Sequence, residues 1–354
     1  MIQDNARLTA LLARIRAADW IALDTEADSL HAYPEKLCLL QISLPGEDAI
    51  IDPLARLNLA PLLEVLKDRE LILHGADYDL RLLWKSLRFR PRGIFDTMWA
   101  ARLLGNSECG LIHLVAQVLG VVLEKGPQKM NWARRPLTKR METYARNDTR
   151  YLRPLSEALS DRLRTLGRLD WQREVCAQMI SECCQDRAPD PDVVWRLKGS
   201  DRLDGKALAV LRELWHWRER EATRRNRPPY FIVSHEKLVA LASAAARRET
   251  ADDVLPAGFP ALRHEGLAEA LERGLRKPTA EHPRPRRSTG RRLTRSEQLR
   301  FDELKRHRDQ CAADLKIDPS LIASRAMLVA LAVNWKTHQN GLMAWQRKLL
   351  AIPD

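Results

Sequence analysis

Two rhythms of apolar and polar positions divide this chain. In its first 160 residues, short apolar runs bounded by turn residues mark strands at 20–24, 37–44 (LCLLQISL), 49–51, 71–74 and near 94–95. Helical spacing covers 57–67, 79–87, 97–104, 111–119 and 137–163, and a polar helical pattern covers 1–16. Asp96 stands where an N-cap for the 97–104 helix belongs. The first three strands follow one another at hairpin distance, whereas the later ones alternate with helices. That order predicts a mixed sheet flanked by helices. Past residue 163 strand signals nearly vanish. Helical periodicity recurs over 205–225, 235–247, 262–275, 295–315, 319–335 and 342–350, with breaks at 188–191, 227–229 and 277–295. The pattern divides the chain into an α/β domain (1–165), a helical connector (166–204), a helical domain (205–277), a basic proline-rich linker (278–293) and a second helical domain (294–354).

Composition narrows the class. The 354 residues suffice for two or three domains, and 45% apolar with 30% charged residues is ordinary for a soluble globular protein. No apolar run approaches the ~18 residues of a membrane span, and the polar N-terminus lacks the features of a signal peptide. Cytoplasmic residence is therefore expected, and no membrane partner. The six cysteines form no Cys-x-x-Cys pair, so buried free thiols are expected rather than a zinc site or a disulfide framework. Net charge is +12, unevenly placed. Residues 1–160 hold 22 basic and 20 acidic groups; residues 161–354 hold 37 and 27. Such a tail suits a polyanion, although a basic surface also serves solubility.

Five residues carry the candidate chemistry. Asp24 and Glu26 end the first strand, and side chains two apart on a strand share a face. Asp79 falls in the first turn of a helix after a Gly75 turn, beside the apolar face Leu80, Leu83, Leu87, where free N–H groups favour negative charge; Asp77 competes as its N-cap. Tyr144 and Asp148 are four apart on a helix and share a face. Singly, each is compatible with a solvated acid pair, a first-turn Asp or a packed Tyr. Gathered in one place, four carboxylates would repel unless protons or divalent cations intervene, and all-oxygen ligation favours Mg²⁺ or Mn²⁺ over zinc. A pair of such ions suits phosphodiester cleavage.

Taken together, these segments resemble the ribonuclease D branch of the DEDD exonuclease family, in its tyrosine subgroup. Leu23-Asp24-Thr25-Glu26 resembles the first motif, His74 to Leu80 the second (H-x-x-x-x-D-L) and Tyr144 to Leu152 the third (Y-A-x-x-D-x-x-Y-L). Asn131-Trp132-Ala133-Arg134-Arg135-Pro136-Leu137 is similar to the family's D-W-x-x-R-P-L segment, with Asn131 in place of the acid. Thr143 stands where the other subgroup has histidine. Residues 205–275 resemble the HRDC domain shared by RecQ-type helicases and ribonuclease D, through Arg225-Asn226-Arg227-Pro228 and Tyr230-Phe231-Ile232-Val233; a weaker copy spans 294–350.

The resemblance implies a ribonuclease H-like exonuclease domain followed by all-α HRDC-like domains. It implies two divalent ions, Mg²⁺ or Mn²⁺, held by Asp24, Glu26, Asp79 and Asp148, with Tyr144 orienting the attacking water. The implied reaction is stepwise hydrolysis from an RNA 3′ end, releasing nucleoside 5′-monophosphates, with tRNA precursors or other 3′-extended structured RNA as substrates and a monomer as the working state. Lys129, Trp132, Arg134 and Arg135 are expected RNA contacts by their closeness to the third motif. Two alternatives stay open: a non-catalytic RNA-binding or assembly factor, and a DNA exonuclease of the same mechanism. Gly105-x-x-x-x-Gly110 lacks the lysine of a phosphate-binding loop, so no nucleoside triphosphate is expected.

Overall fold

The structure, a computed structural model, describes residues 1–126, 128–186, 188, 190–247, 264–285 and 292–351. The linker predicted at 278–293 thus lies partly outside the described residues, at 286–291.

β1 (Ile21–Ala27) occupies the middle of a five-stranded sheet ordered β3-β2-β1-β4-β5, with β2 (Leu37–Leu44), β3 (Glu47–Ile51), β4 (Glu70–Leu73) and β5 (Gly93–Asp96). The first three strands are antiparallel neighbours; β1, β4 and β5 run parallel. The mixed sheet is the one the spacing predicts. The parallel arrangement brings the C-terminal ends of β1, β4 and β5 to one edge, where open α/β sheets place their ligands. β1 alternates as its sequence does. Ile21 and Leu23 join the larger core with α1 (Asn5–Ala17), α2 (Ala60–Lys67), α3 (Asp77–Leu87) and α8 (Leu169–Cys183), while Ala22 packs with Ile72 and Leu152 on the opposite face.

Several helix boundaries differ from the pattern; the helix expected over 319–335, for one, is broken at Ser324, which caps a separate helix. α2 begins at Ala60 because Pro61 suits only a first turn. The single helix expected over 137–163 is two, α6 (Lys139–Arg150) and α7 (Leu152–Thr165). Pro154 lies in the first turn of α7, where its missing N–H is unneeded; inside one long helix it would break the ladder. α3 starts at Asp77, two residues early. α4 (Thr97–Leu103) does carry Asp96 as N-cap, and α5 (Leu111–Leu119) ends at Gly120 in the left-handed conformation.

Contacts group the chain into two units that do not follow chain order. One comprises 1–27, 37–185 and 292–354; the other comprises 28–36 and 186–291. Each contains a 21-residue helix, α9 (Gly205–Arg225) or α13 (Arg295–Leu315), capped by a left-handed residue, Asn226 or Lys316. A proline-started turn follows, α10 (Pro229–Ile232) or α14 (Pro319–Ile322). Then comes a Ser-capped helix, α11 (His235–Ala246) or α15 (Arg325–Val333). α12 (His264–Leu275) completes the second unit; α16 (Trp335–His338) and α17 (Ala344–Leu350) complete the first. No disulfide joins any of the six cysteines, and four of them are buried.

Candidate active site

Asp24 and Glu26 leave β1 on the face covered by α6, and α6 presents Tyr144 and Asp148 one turn apart to the same place. Oxygens of Asp24, Glu26 and Asp148 lie within 4.8 Å of one another. Asp79 enters from the first turn of α3 and is 5% exposed. Its Oδ1 accepts a 2.5 Å hydrogen bond from the Thr25 hydroxyl, so the residue between the two β1 acids fixes the third. Asp77 instead pairs with Arg81 on the surface. The five residues line a cleft of about 820 Å³ together with His74, Tyr78, Leu111, His113, Lys125 and Gln128.

Burial of mutually repelling acids dominates the electrostatics. Asp24 is pushed well above the usual carboxylate range, first by burial and then by Asp79, Asp148 and Glu26. Burial followed by the charges of Asp148 and Asp79 lifts Glu26 to about 9. Asp79 rises to about 7 through burial, against the opposing pull of the Thr25 bonds. Asp148 rises to about 7 through burial and Asp79, partly offset by a hydrogen bond from Tyr144. The Tyr144 phenol is raised by burial and by Asp148, so it stays protonated at neutral pH. Burial lowers His74, whose Nδ1 shares a 2.9 Å hydrogen bond with the Thr97 hydroxyl.

The segment before α6 corrects two expectations about RNA contact. Trp132 is 1% exposed and sits in the core beneath the third motif, its ring centroid 6.0 Å from that of Tyr144. It buttresses the tyrosine and offers no face to a base. Arg135 is also committed inward. It donates to both Asp52 oxygens at 2.7 and 2.6 Å and to the Cys38 carbonyl at 2.9 Å, tying the segment to β2 and the end of β3. Arg134 and Lys129 are exposed. Asn131 keeps the turn closed: its Oδ1 accepts the Ala133 N–H at 3.0 Å, a bond an aspartate would make equally.

Residues outside the predicted set also shape the site. Gly126 lies against the Tyr144 ring so closely that a Cβ there would come within 1.4 Å of it, and Gln128 hydrogen-bonds the phenol. A glycine between Lys125 and Gln128 offered one weak signal. Thr25 was visible inside its motif, but its role depends on a partner 54 residues away.

Two family models match the chain: one described as a 3′-5′ exonuclease over residues 1–164, and one for the HRDC domain over residues 207–253. The ribonuclease D of Nitrobacter hamburgensis is 32% identical over 82% of this chain and 78% of its own length. The chain belongs to the ribonuclease D family. The ribonuclease D of Desulfotalea psychrophila is 28% identical, covering 99% of this chain and 96% of that protein. The crystal structure of Escherichia coli ribonuclease D, described as an exoribonuclease involved in structured RNA processing, matches with a TM-score of 0.78 at 26% identity, over 99% of this chain and 97% of that one. As a member of that family, the chain is a 3′-to-5′ exoribonuclease with a ribonuclease H-like domain and an HRDC domain. Among the described residues no helix is long and apolar enough to cross a membrane.

Proposed function

We propose that Asp24, Glu26, Asp79 and Asp148 hold two divalent ions, Mg²⁺ or Mn²⁺, and that the site trims 3′ extensions from tRNA precursors or similar structured RNA in the cytoplasm. The observation that carries this reading is the set of three carboxylates within 4.8 Å, with Asp79 in the same cleft and every member titrating above its ordinary range. The donors are all oxygen and their charges repel, which fits a hard divalent cation. When bound, such ions neutralise the carboxylates and polarise the phosphodiester for attack.

The chain's own groups set the geometry. Tyr144 is a neutral phenol braced by Trp132, Gly126 and Gln128 beside Asp148. A neutral phenol orients a water through its hydroxyl rather than deprotonating it. The water oxygen bonds to phosphorus as the water gives up a proton to solvent, the bond from phosphorus to the 3′-oxygen breaks, that oxygen takes up a proton to become the new 3′-hydroxyl, and a nucleoside 5′-monophosphate leaves a strand one residue shorter. Leu111 and the Tyr78 ring line the same cleft and give a terminal nucleoside an apolar surface.

End-labelled single-stranded RNA, matched DNA and a tRNA with a 3′ extension, each incubated with Mg²⁺ or Mn²⁺ with and without chelator, test the reading. RNA should shorten stepwise only when metal is present, and Asp79→Asn should stop it. Activity that survives Asp79→Asn would overturn the site. Equal or faster shortening of DNA would overturn the substrate class.

A further inference from the structure

We propose that Asp96 and Thr97 form a clamp that positions Asp79 for metal binding; the inference rests on the metal site proposed above. Asp96 ends β5 and pairs in register with Leu73 at the end of β4. Its carboxylate is fully buried and accepts four backbone N–H groups from two different elements. Met98 and Trp99 of the first turn of α4 donate to Oδ1 at 2.8 and 3.2 Å. Gly75 donates to Oδ1 at 3.0 Å and Ala76 to Oδ2 at 2.8 Å. The first pair is an ordinary N-cap. The second is not: Gly75 and Ala76 form the turn that launches α3, and Asp79 lies in the first turn of that helix.

Thr97 grips the same segment. Its hydroxyl donates to the Leu73 carbonyl at 3.2 Å and meets His74 Nδ1 at 2.9 Å. Gly75 sits at φ +68°, a conformation that glycine adopts without strain, with the Met98 side chain in van der Waals contact at the position a Cβ would take. The whole β4–α3 turn is therefore bonded to the β5–α4 junction. Thr25 holds the Asp79 carboxylate from the β1 side. Asp79 is thus fixed between a hydroxyl on one strand and a helix start tied to another.

The four-bond arrangement requires a carboxylate. An asparagine amide has one acceptor oxygen, and its NH₂ group would face an N–H donor from the α3 turn or the α4 turn. With its oxygen at the Oδ1 position an asparagine keeps the Gly75, Met98 and Trp99 bonds but turns its NH₂ on the Ala76 N–H, so Asp96→Asn should push the start of α3 away from the clamp with little change in volume. A metal site needs its ligands within roughly 0.5 Å of their working positions, so a small shift of the α3 start suffices to weaken binding.

The test is Mn²⁺ binding to the full-length protein, read from the electron paramagnetic resonance signal of the free ion, beside thermal unfolding and kinetics on a short RNA. Three variants serve: Asp96→Asn, Thr97→Val, and Leu66→Ala as a core substitution on α2 that removes none of the clamp's hydrogen bonds. Asp96→Asn should bind Mn²⁺ about tenfold or more weakly, with a matching rise in the metal concentration for half-maximal rate and an unchanged KM for RNA. Thr97→Val should shift the same way by a smaller factor. Leu66→Ala should unfold earlier yet bind Mn²⁺ normally. If Asp96→Asn fails to fold, Thr97→Val decides. Mn²⁺ binding within twofold of the unsubstituted protein in both clamp variants would overturn the proposal while leaving the metal site standing. No Mn²⁺ binding by the unsubstituted protein would overturn the metal site and the clamp with it.

Discussion

Metal binding to this site should release protons, and the amount follows from the acids themselves. Without metal, Asp79 and Asp148 titrate at about 7, Glu26 at about 9 and Asp24 well above its ordinary range. Near pH 6 the cluster therefore carries protons on most of its members, whereas a metal requires the ionised forms. Each proton displaced makes the apparent affinity rise about tenfold per pH unit. With at least one displaced throughout the range from about pH 6 to about pH 8, Mn²⁺ affinity should climb on the order of 100-fold. Titration calorimetry in two buffers of different ionisation enthalpy counts the protons directly. Stability gives an independent readout. Acids whose folded pKa is raised contribute stability that is fully present below their unfolded pKa and is lost as pH rises through the folded one. The metal-free protein should thus lose stability from about pH 4, where the unfolded carboxylates ionise, up to about pH 9, and the rise in melting temperature on adding Mg²⁺ should grow with pH over the same window. An affinity constant within threefold across the range, with identical heats in both buffers, would refute the account of a charge-frustrated cluster.

Three further outcomes follow. Tyr144→Phe should lower kcat by about 10²-fold while leaving Mn²⁺ affinity and KM near normal, since only the water-orienting hydroxyl is lost; single-turnover kinetics with a metal titration would show it. Gly126→Ala should lower kcat through the same tyrosine, because the new methyl must displace its ring. In a Tyr144→Phe background it should add little, and additive losses would disprove the connection. Arg135→Ala leaves the Asp52 carboxylate, whose side chain is 2% exposed, without its cation and should destabilise the fold by about 3 kcal/mol. Denaturant unfolding measures that loss, and an unchanged salt slope for RNA binding would separate this role from the phosphate contact expected of Arg134→Ala.

The features legible in the sequence are those set by local periodicity. A period of two placed Asp24 and Glu26 on one face of β1, and a spacing of four did the same for Tyr144 and Asp148 on α6. The apolar stripe Leu80, Leu83 distinguished Asp79 from Asp77, and the structure has the first buried and the second paired outward with Arg81. What stayed hidden depends on partners distant in the chain. Trp132 and Arg135 sit in a basic, aromatic segment that reads as a nucleic-acid contact, yet Arg135 bonds Asp52, 83 positions earlier, and Trp132 fills the core under Tyr144. Asp96 was read as a helix cap. That was correct and incomplete, since half of its bonds go to another element.

The same limit applies to domain boundaries, with an experimental consequence. The sequence sets the last helical segment apart behind a basic linker, which invites its deletion as a separable RNA-binding module. Packing argues otherwise. Leu155, Leu159 and Leu163 of α7 and Leu103 of α4 share one core with Phe301, Leu304, Ile317 and Leu321. Arg168, 6% exposed, donates at 2.8 Å both to the Leu103 carbonyl at the end of α4 and to the Leu315 carbonyl at the end of α13. Gly105 approaches the Lys316 carbonyl so closely that any Cβ would clash with it. Exposing a buried leucine costs about 1.5–3 kcal/mol, so uncovering several exceeds a large part of a domain's net stability. Loss of activity on removing residues 292–354 would then report a damaged nuclease core rather than lost RNA affinity. Charge-reversing substitutions on exposed faces of the helices, which leave that shared core intact, are the experiment that isolates binding.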